Sequence, residues 1–234
     1  MMTPVSFLSD GLKLSGLLHI PDGHKPGERR PAFVVMHGFG GSNQGGQGAW
    51  AAKALCQWGY VCLQFEFRGC GDSEGERGRI ICLEQVADTS NAITYLQSRA
   101  EIDPERIGIN GLSFGTFFAT IAAAHEPRIR AVAATSVCHE PGFHSIFEEA
   151  SPTFKMRFMY MSGYTDEAAF DEFRKTLTWE GHAQRIRAPY LCLAGEWDEL
   201  SPLKHTEALM CALRGKKRLV VYQESRHSVG NVPA

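Results

Sequence analysis

The chain has 234 residues, enough for one large α/β domain, and its content of 44% hydrophobic and 21% charged residues is that of an ordinary globular protein. Against 26 Asp and Glu stand 24 Lys and Arg, a net charge of −2, so no basic surplus points to nucleic acid or to an anionic membrane surface. The start, Met1 to Ser6, has neither a basic stretch nor an apolar run, and nothing is long enough to span a bilayer, so the expected location is the cytoplasm.

The elements alternate. Val5 to Ser9 and Leu12 to Ile20 read as strands joined by the hairpin dipeptide Asp10-Gly11. Leu12, Leu14, Gly16 and Leu18 mark one buried face of the second. After a polar loop, Ala32 to Met36 is a continuous apolar run, as a strand covered on both faces requires. It ends in His37-Gly38-Phe39-Gly40-Gly41. A small-residue loop, Ser42 to Gly48, leads to a helix over Ala49–Trp58, and Tyr60 to Phe65 is the next strand. Leu83 to Arg99 carries apolar residues at helical spacing. Arg106 to Asn110 is extended, Thr116 to Ala124 suits a buried helix, and Ala131 to Val137 is another buried strand. From Glu140 to about Arg187 the alternation breaks. It resumes with strand Tyr190–Ala194, helix Leu203–Leu213 and strand Arg218–Tyr222. Such alternation predicts a mostly parallel sheet with helices on both faces, and places functional residues at the carboxyl ends of the strands.

The seven cysteines are odd in number and form no Cys-x-x-Cys pair. Cys62 and Cys192 lie inside apolar runs. They read as reduced thiols serving as small hydrophobes, and no structural zinc site is expected.

Gly111-Leu112-Ser113-Phe114-Gly115 sits between a predicted strand and a predicted helix. A serine on so sharp a turn holds its Oγ in the open, and the residues two away must be small because strand and helix nearly touch. A serine hydroxyl needs a base, and the base needs a group to orient it. Glu196, Asp198 and Glu199 follow the predicted strand 190–194. Of nine histidines only His205 and His227 come later, and His205 falls on a helix where it is expected at the surface.

With His37-Gly38-Phe39-Gly40, Arg68-Gly69-Cys70-Gly71-Asp72-Ser73, the serine pentapeptide, Gly195-Glu196-Trp197-Asp198 and His227, the chain resembles the α/β-hydrolase superfamily, and its small bacterial serine carboxylesterases in particular. The His-Gly-Phe turn is similar to that of cinnamoyl and feruloyl esterases. The Arg-Gly-x-Gly-x-Ser loop also occurs in acyl-peptidase catalytic domains. The resemblance implies an α/β-hydrolase fold over the whole chain, 1–234. It implies the order nucleophile, acid, histidine: Ser113, Asp198 and His227, with Asp198 preferred to Glu196 and Glu199. It also implies an oxyanion hole made by the backbone N–H groups of Phe39 and Phe114, whose rings would line an acyl pocket. No cofactor or metal is implied.

The chain departs from the resemblance twice. Thr116 stands where the elbow often has a second glycine. Only seven residues follow His227, where relatives usually carry a helix, so either that helix is missing or a partner covers the surface, as a homodimer would. The segment 140–187 is dense in aromatics, Phe143, Phe147, Phe154 and Phe158 among them, with a helix expected over Asp166–Leu177. Most of these rings are expected to pack the segment onto the rest, and the whole to form a cap over an apolar acyl or aryl pocket. The expected function is hydrolysis of small to medium carboxylic esters. A peptidase or amidase, a carbon–carbon bond hydrolase and a non-catalytic ligand-binding protein remain open. The large N-terminal propeller usual in acyl peptidases has no room in a chain of this length.

Overall fold

The computed structural model describes residues 1–39, 46–78 and 82–229. In chain order the strands are β1 (Met2–Ser9), β2 (Leu12–His19), β3 (Arg30–Met36), β4 (Val61–Phe65), β5 (Ile102–Ser113), β6 (Ile129–Val137), β7 (Tyr190–Gly195) and β8 (Lys217–Tyr222). They form one sheet in the order β1-β2-β4-β3-β5-β6-β7-β8. β1 and β2 are an antiparallel hairpin, β2 runs antiparallel to β4, and all later pairings are parallel. Asp10 and Gly11 take φ of 48° and 83°, the mirror-image turn whose twist matches the strands it joins.

The helices are α1 (Gly46–Gln57), α2 (Cys82–Gln97), α3 (Phe114–His125), α4 (Pro152–Ser162), α5 (Glu167–Arg174) and α6 (Leu203–Ala212). The alternation of side chains along each strand divides them between two layers. Val34, Ile109, Val132 and Tyr190 pair across four strands and face α2 and α3. Val35 and Leu112 face the other way, against Ala51 and Ala52 of α1. Leu191, in register with Val35 through Asn110 and Ala133, lies on this second face and is 38% exposed. Residues 114–123 of α3 are all buried, which its small and apolar sequence permits.

The expected loop over 42–48 is shorter than read. Gly46 to Gly48 already belong to α1, and residues 42–45 lie outside the described residues, as do Gly40 and Gly41.

Between β6 and β7 the sequence gives two helices rather than one. α4 begins at Pro152 and ends at Gly163, whose φ of 78° is the left-handed stop that glycine takes most easily. α5 is capped by Asp166, which accepts the Ala169 N–H at 2.8 Å. It stops at Arg174, short of the expected Leu177, because the Leu177 carbonyl accepts the Gly142 N–H at 2.9 Å and its side chain is buried. Lys155 lies within 3.0 Å of Glu148, Glu167 and Asp171, joining α4, α5 and the helical turn Ser145–Glu149. Burial alone would lower the Lys155 pKa, but these carboxylates outweigh it and raise it. Beneath them Phe147, Phe158 and Phe170 are buried, with ring centroids 4.9 Å apart for Phe147–Phe158 and 5.2 Å for Phe147–Phe170. Among the described residues no helix is long and apolar enough to cross a membrane.

Candidate active site

The carboxyl ends of the parallel strands share one edge of the sheet. Met36 of β3 pairs with Gly111 of β5, and Ser113 with Val137 of β6. His37, Ser113, Cys138, Asp198 and His227 all follow at that edge.

Ser113 joins β5 directly to α3 with φ 52° and ψ −126°. This is a sparsely populated backbone state that costs about 1–3 kcal/mol and persists only where the surroundings enforce it. The surroundings approach so closely that glycine is required beside the serine. A Cβ at Gly111 would lie 2.6 Å from the Gly115 carbonyl, and one at Gly115 would lie 2.5 Å from the His37 carbonyl. A Cβ at Gly38 would lie 2.8 Å from that of Ser113. Three glycines therefore let the strand, the helix and the His37 turn converge on one serine.

Ser113 Oγ lies 2.8 Å from His227 Nε2. His227 Nδ1 lies 2.9 Å from Asp198 Oδ2 and 3.1 Å from Oδ1. A carboxylate only accepts, so Nδ1 carries the proton and Nε2 is free to accept from Ser113. Asp198 is 4% exposed, and its Oδ1 also accepts the N–H groups of Leu200 at 2.9 Å and Ser201 at 3.0 Å. The rival carboxylates point elsewhere. Glu196 accepts the Glu224 N–H at 3.0 Å, and Glu199 faces Arg226 at 3.6 Å. His205 is not on the open surface as expected. It is half-buried with Nε2 3.4 Å from the buried Glu140, because the first turn of α6 packs on the chain leaving β6.

Phe114 is the first residue of α3, so its N–H belongs to the group that has no partner inside the helix. Phe39 belongs to the turn after β3, which His37 braces. His37 Nε2 accepts the Phe67 N–H at 3.3 Å and Nδ1 donates to the Gly38 carbonyl at 2.7 Å. Only the neutral ring makes both bonds, and burial lowers the His37 pKa in keeping with that. Of the two rings, that of Phe114 departs from expectation. Phe39 is half-buried and stacks on Phe158 with centroids 4.8 Å apart. Phe114 is 2% exposed and packs among Phe117, Phe118, Phe143 and Phe158, so it serves the core rather than an acyl pocket.

One neighbour of Ser113 has no signal in its local sequence. Cys138 Sγ lies 3.8 Å from Ser113 Oγ in a position 1% exposed. The pairing of β5 with β6 slips between Leu112 and Ser113, and Ser136 takes φ 52° there. That bulge turns Cys138 toward the serine. Burial first, and the Asp198 charge second, push the thiol pKa up, so it stays protonated. Among the described residues no group of three or more His, Cys, Asp or Glu side chains gathers as a metal would require.

A model of the prolyl oligopeptidase family matches residues 47–233. The chain belongs to that family. The quorum-quenching protein AidA of Acinetobacter baumannii is 36% identical over 129 residues, 55% of this chain and 41% of the relative. The thiohydrolase aneE of Aspergillus aculeatus is 35% identical over 147 residues, 62% of this chain and 43% of the relative. The chain thus spans less than half the length of either. Est1E of Butyrivibrio proteoclasticus, solved with ferulic acid bound, superimposes with a TM-score of 0.79 over 97% of this chain and 92% of that one, at 18% identity. Likeness at this level shows the fold, and the fold is that of the α/β-hydrolases.

Proposed function

We propose that this hydrolase-family member is a serine esterase that cleaves carboxylic esters of small to medium apolar acyl or aryl groups through an acyl-enzyme. The observation that carries the reading is the unbroken line Asp198–His227–Ser113, with contacts of 2.9 and 2.8 Å, ending on a strained serine. As Ser113 Oγ attacks the ester carbonyl, His227 Nε2 takes its proton and Asp198 stabilises the resulting imidazolium. The carbonyl oxygen becomes an oxyanion and accepts the N–H groups of Phe39 and Phe114, each such donor contributing about 3–4 kcal/mol to the transition state. His227 then returns the proton to the leaving alkoxide. Water, deprotonated by the same histidine, attacks the acyl-enzyme and frees the acid. No metal or cofactor enters these steps.

The segment 140–187 acts in this reading as a cap. Phe154 of α4 meets Phe39 edge-on at 5.7 Å beside the oxyanion turn, and these two partly exposed rings give the substrate an aromatic wall, with the buried Phe158 stacked behind Phe39. The fold shared with a protein solved holding ferulic acid supports an aryl ester. A second reading, a peptidase, is favoured by the family whose model the chain matches.

One panel separates them: p-nitrophenyl esters of short and medium acyl chains, methyl hydroxycinnamates and aminoacyl p-nitroanilides. The esters should exceed the anilides in kcat/KM by at least an order of magnitude. Faster cleavage of the anilides would replace the esterase reading with the peptidase.

A further inference from the structure

Thr116 stands where the elbow of related hydrolases often carries a second glycine, and it is fully buried. Its hydroxyl donates to the Ser113 carbonyl at 2.7 Å and accepts the Cys138 N–H at 2.8 Å. The next residue, His139, donates its N–H to Ser201 Oγ at 2.9 Å. Ser201 in turn donates its own N–H to Asp198 Oδ1 at 3.0 Å. These contacts close a ring from Ser113 through Thr116, the Cys138–His139 backbone, Ser201, Asp198 and His227 back to Ser113. Half of the ring is the proposed catalytic line, and the other half passes behind it through buried groups.

The second half is braced by a chain of hydroxyls whose proton directions are all determined. A carbonyl oxygen only accepts, so the Thr120 hydroxyl donates to the Thr116 carbonyl at 2.7 Å. Tyr190 must then donate to Thr120 Oγ1 at 2.8 Å. His139 Nε2 therefore donates to Tyr190 at 3.2 Å, and Thr206 donates to His139 Nδ1 at 3.2 Å. Trp179 Nε1 donates to the His139 carbonyl at 2.6 Å. Along this chain no hydroxyl is left to turn, and a buried network so satisfied is stiff.

We infer that Thr116 is a positioning residue. Its hydroxyl ties the nucleophile to the acid loop through Cys138, His139 and Ser201, and thereby sets the alignment of Ser113 with His227. The inference rests on the esterase reading of the same site. Glycine at this position would leave the Ser113 carbonyl and the Cys138 N–H without their common partner.

The test compares Thr116→Val, which keeps the shape without the hydroxyl, with Thr116→Ser, which keeps the hydroxyl. Active sites are counted by fluorophosphonate labelling, and kcat and KM are measured per labelled site beside the thermal midpoint. Thr116→Val should lower kcat about ten- to a hundredfold with KM within about twofold, since small misplacements of reacting groups carry costs of that order. Thr116→Ser should restore it to within about threefold of the parent. Unchanged kcat per site in Thr116→Val, even with a lowered midpoint, would overturn the inference, as would an equal loss in Thr116→Ser. Should Thr116→Val fail to fold, Ser201→Ala removes the acceptor of the His139 N–H and should show the same split of kcat from KM. An unchanged kcat there also overturns it. Failure of the esterase reading looks different: the parent would not label, or Ser113→Ala would label as well as the parent.

Discussion

At the scale of the residue, the site depends on groups far apart in the chain. Ser113 and His227 are separated by 114 positions, yet their side chains lie 2.8 Å apart. Of the three carboxylates that follow β7, Glu196, Asp198 and Glu199, only Asp198 reaches the histidine, and it is also the buried one. Asp198→Asn should reduce kcat about 10³- to 10⁴-fold with the fold intact, because the amide favours the wrong tautomer of His227. Glu196→Gln should leave turnover unchanged, since its carboxylate meets a backbone N–H on the solvent side. Steady-state kinetics on a p-nitrophenyl ester, with circular dichroism as the check on folding, decide between the two. The positions of Ser113, Asp198 and His227 after strands were legible from the alternation, whereas their order of roles and the choice of Asp198 over Glu196 and Glu199 came from the resemblance. Cys138 was legible only as a small buried residue. Its approach to Ser113 comes from the bulge at Ser136, and a bulge leaves no mark on the alternation of apolar residues. Thr116 was visible as a departure from glycine, but its two hydrogen bonds reach from α3 to the end of β5 and to the chain after β6, and require the fold.

At the scale of the element, the parallel strands were legible because each is a short apolar run covered on both faces. β5 is longer than read, starting at Ile102, because Arg30 pairs with it across an irregular register before the regular pairing begins at Ala32. α4 went unread although its signals are present. Pro152 opens it and Gly163 closes it, but its apolar face is nearly masked by charged and flexible residues such as Lys155, Met156 and Arg157. Its packing is aromatic. Phe158 is 2% exposed and lies against Phe39, Phe114 and Phe147, so it holds the segment 140–187 to the turn after β3 and to α3 at once. Phe158→Ala should cost about 3–5 kcal/mol of stability, the range for emptying a large buried aromatic site. Urea denaturation measures this. A loss under about 1 kcal/mol would show that the segment is held chiefly by the ion pairs of Lys155 rather than by its rings.

At the scale of the whole molecule, the α/β order and the edge at which functional residues gather followed from alternation alone. The path of the segment 140–187 did not, because its aromatic residues fit a helix, a loop or a core equally well until packed. Stability should depend on pH through the buried network. Burial lowers the His139 pKa from 6.5 to about 3, so the folded protein keeps this ring neutral where the unfolded chain protonates it. The stability this supplies is present in full above pH 6.5 and is lost as pH falls toward 3. Between pH 7 and 5 the loss from His139 alone is about 2 kcal/mol. His37, also lowered by burial, adds in the same direction. Chemical denaturation at the two pH values should show the drop, and His139→Gln should flatten it relative to the parent. An equal pH dependence in both proteins would mean that His139 is not held neutral.

The central claim is that Ser113 is the nucleophile, and the nearest competitor is the Cys138 thiol 3.8 Å away. The most direct measurement is to quench the protein during turnover of a slowly deacylated p-nitrophenyl ester and to map the acyl adduct by peptide mass spectrometry. One acyl group per chain is expected on Ser113, absent in Ser113→Ala and unchanged in Cys138→Ala. Acylation of Cys138 instead, or steady turnover with no adduct on Ser113, would contradict it.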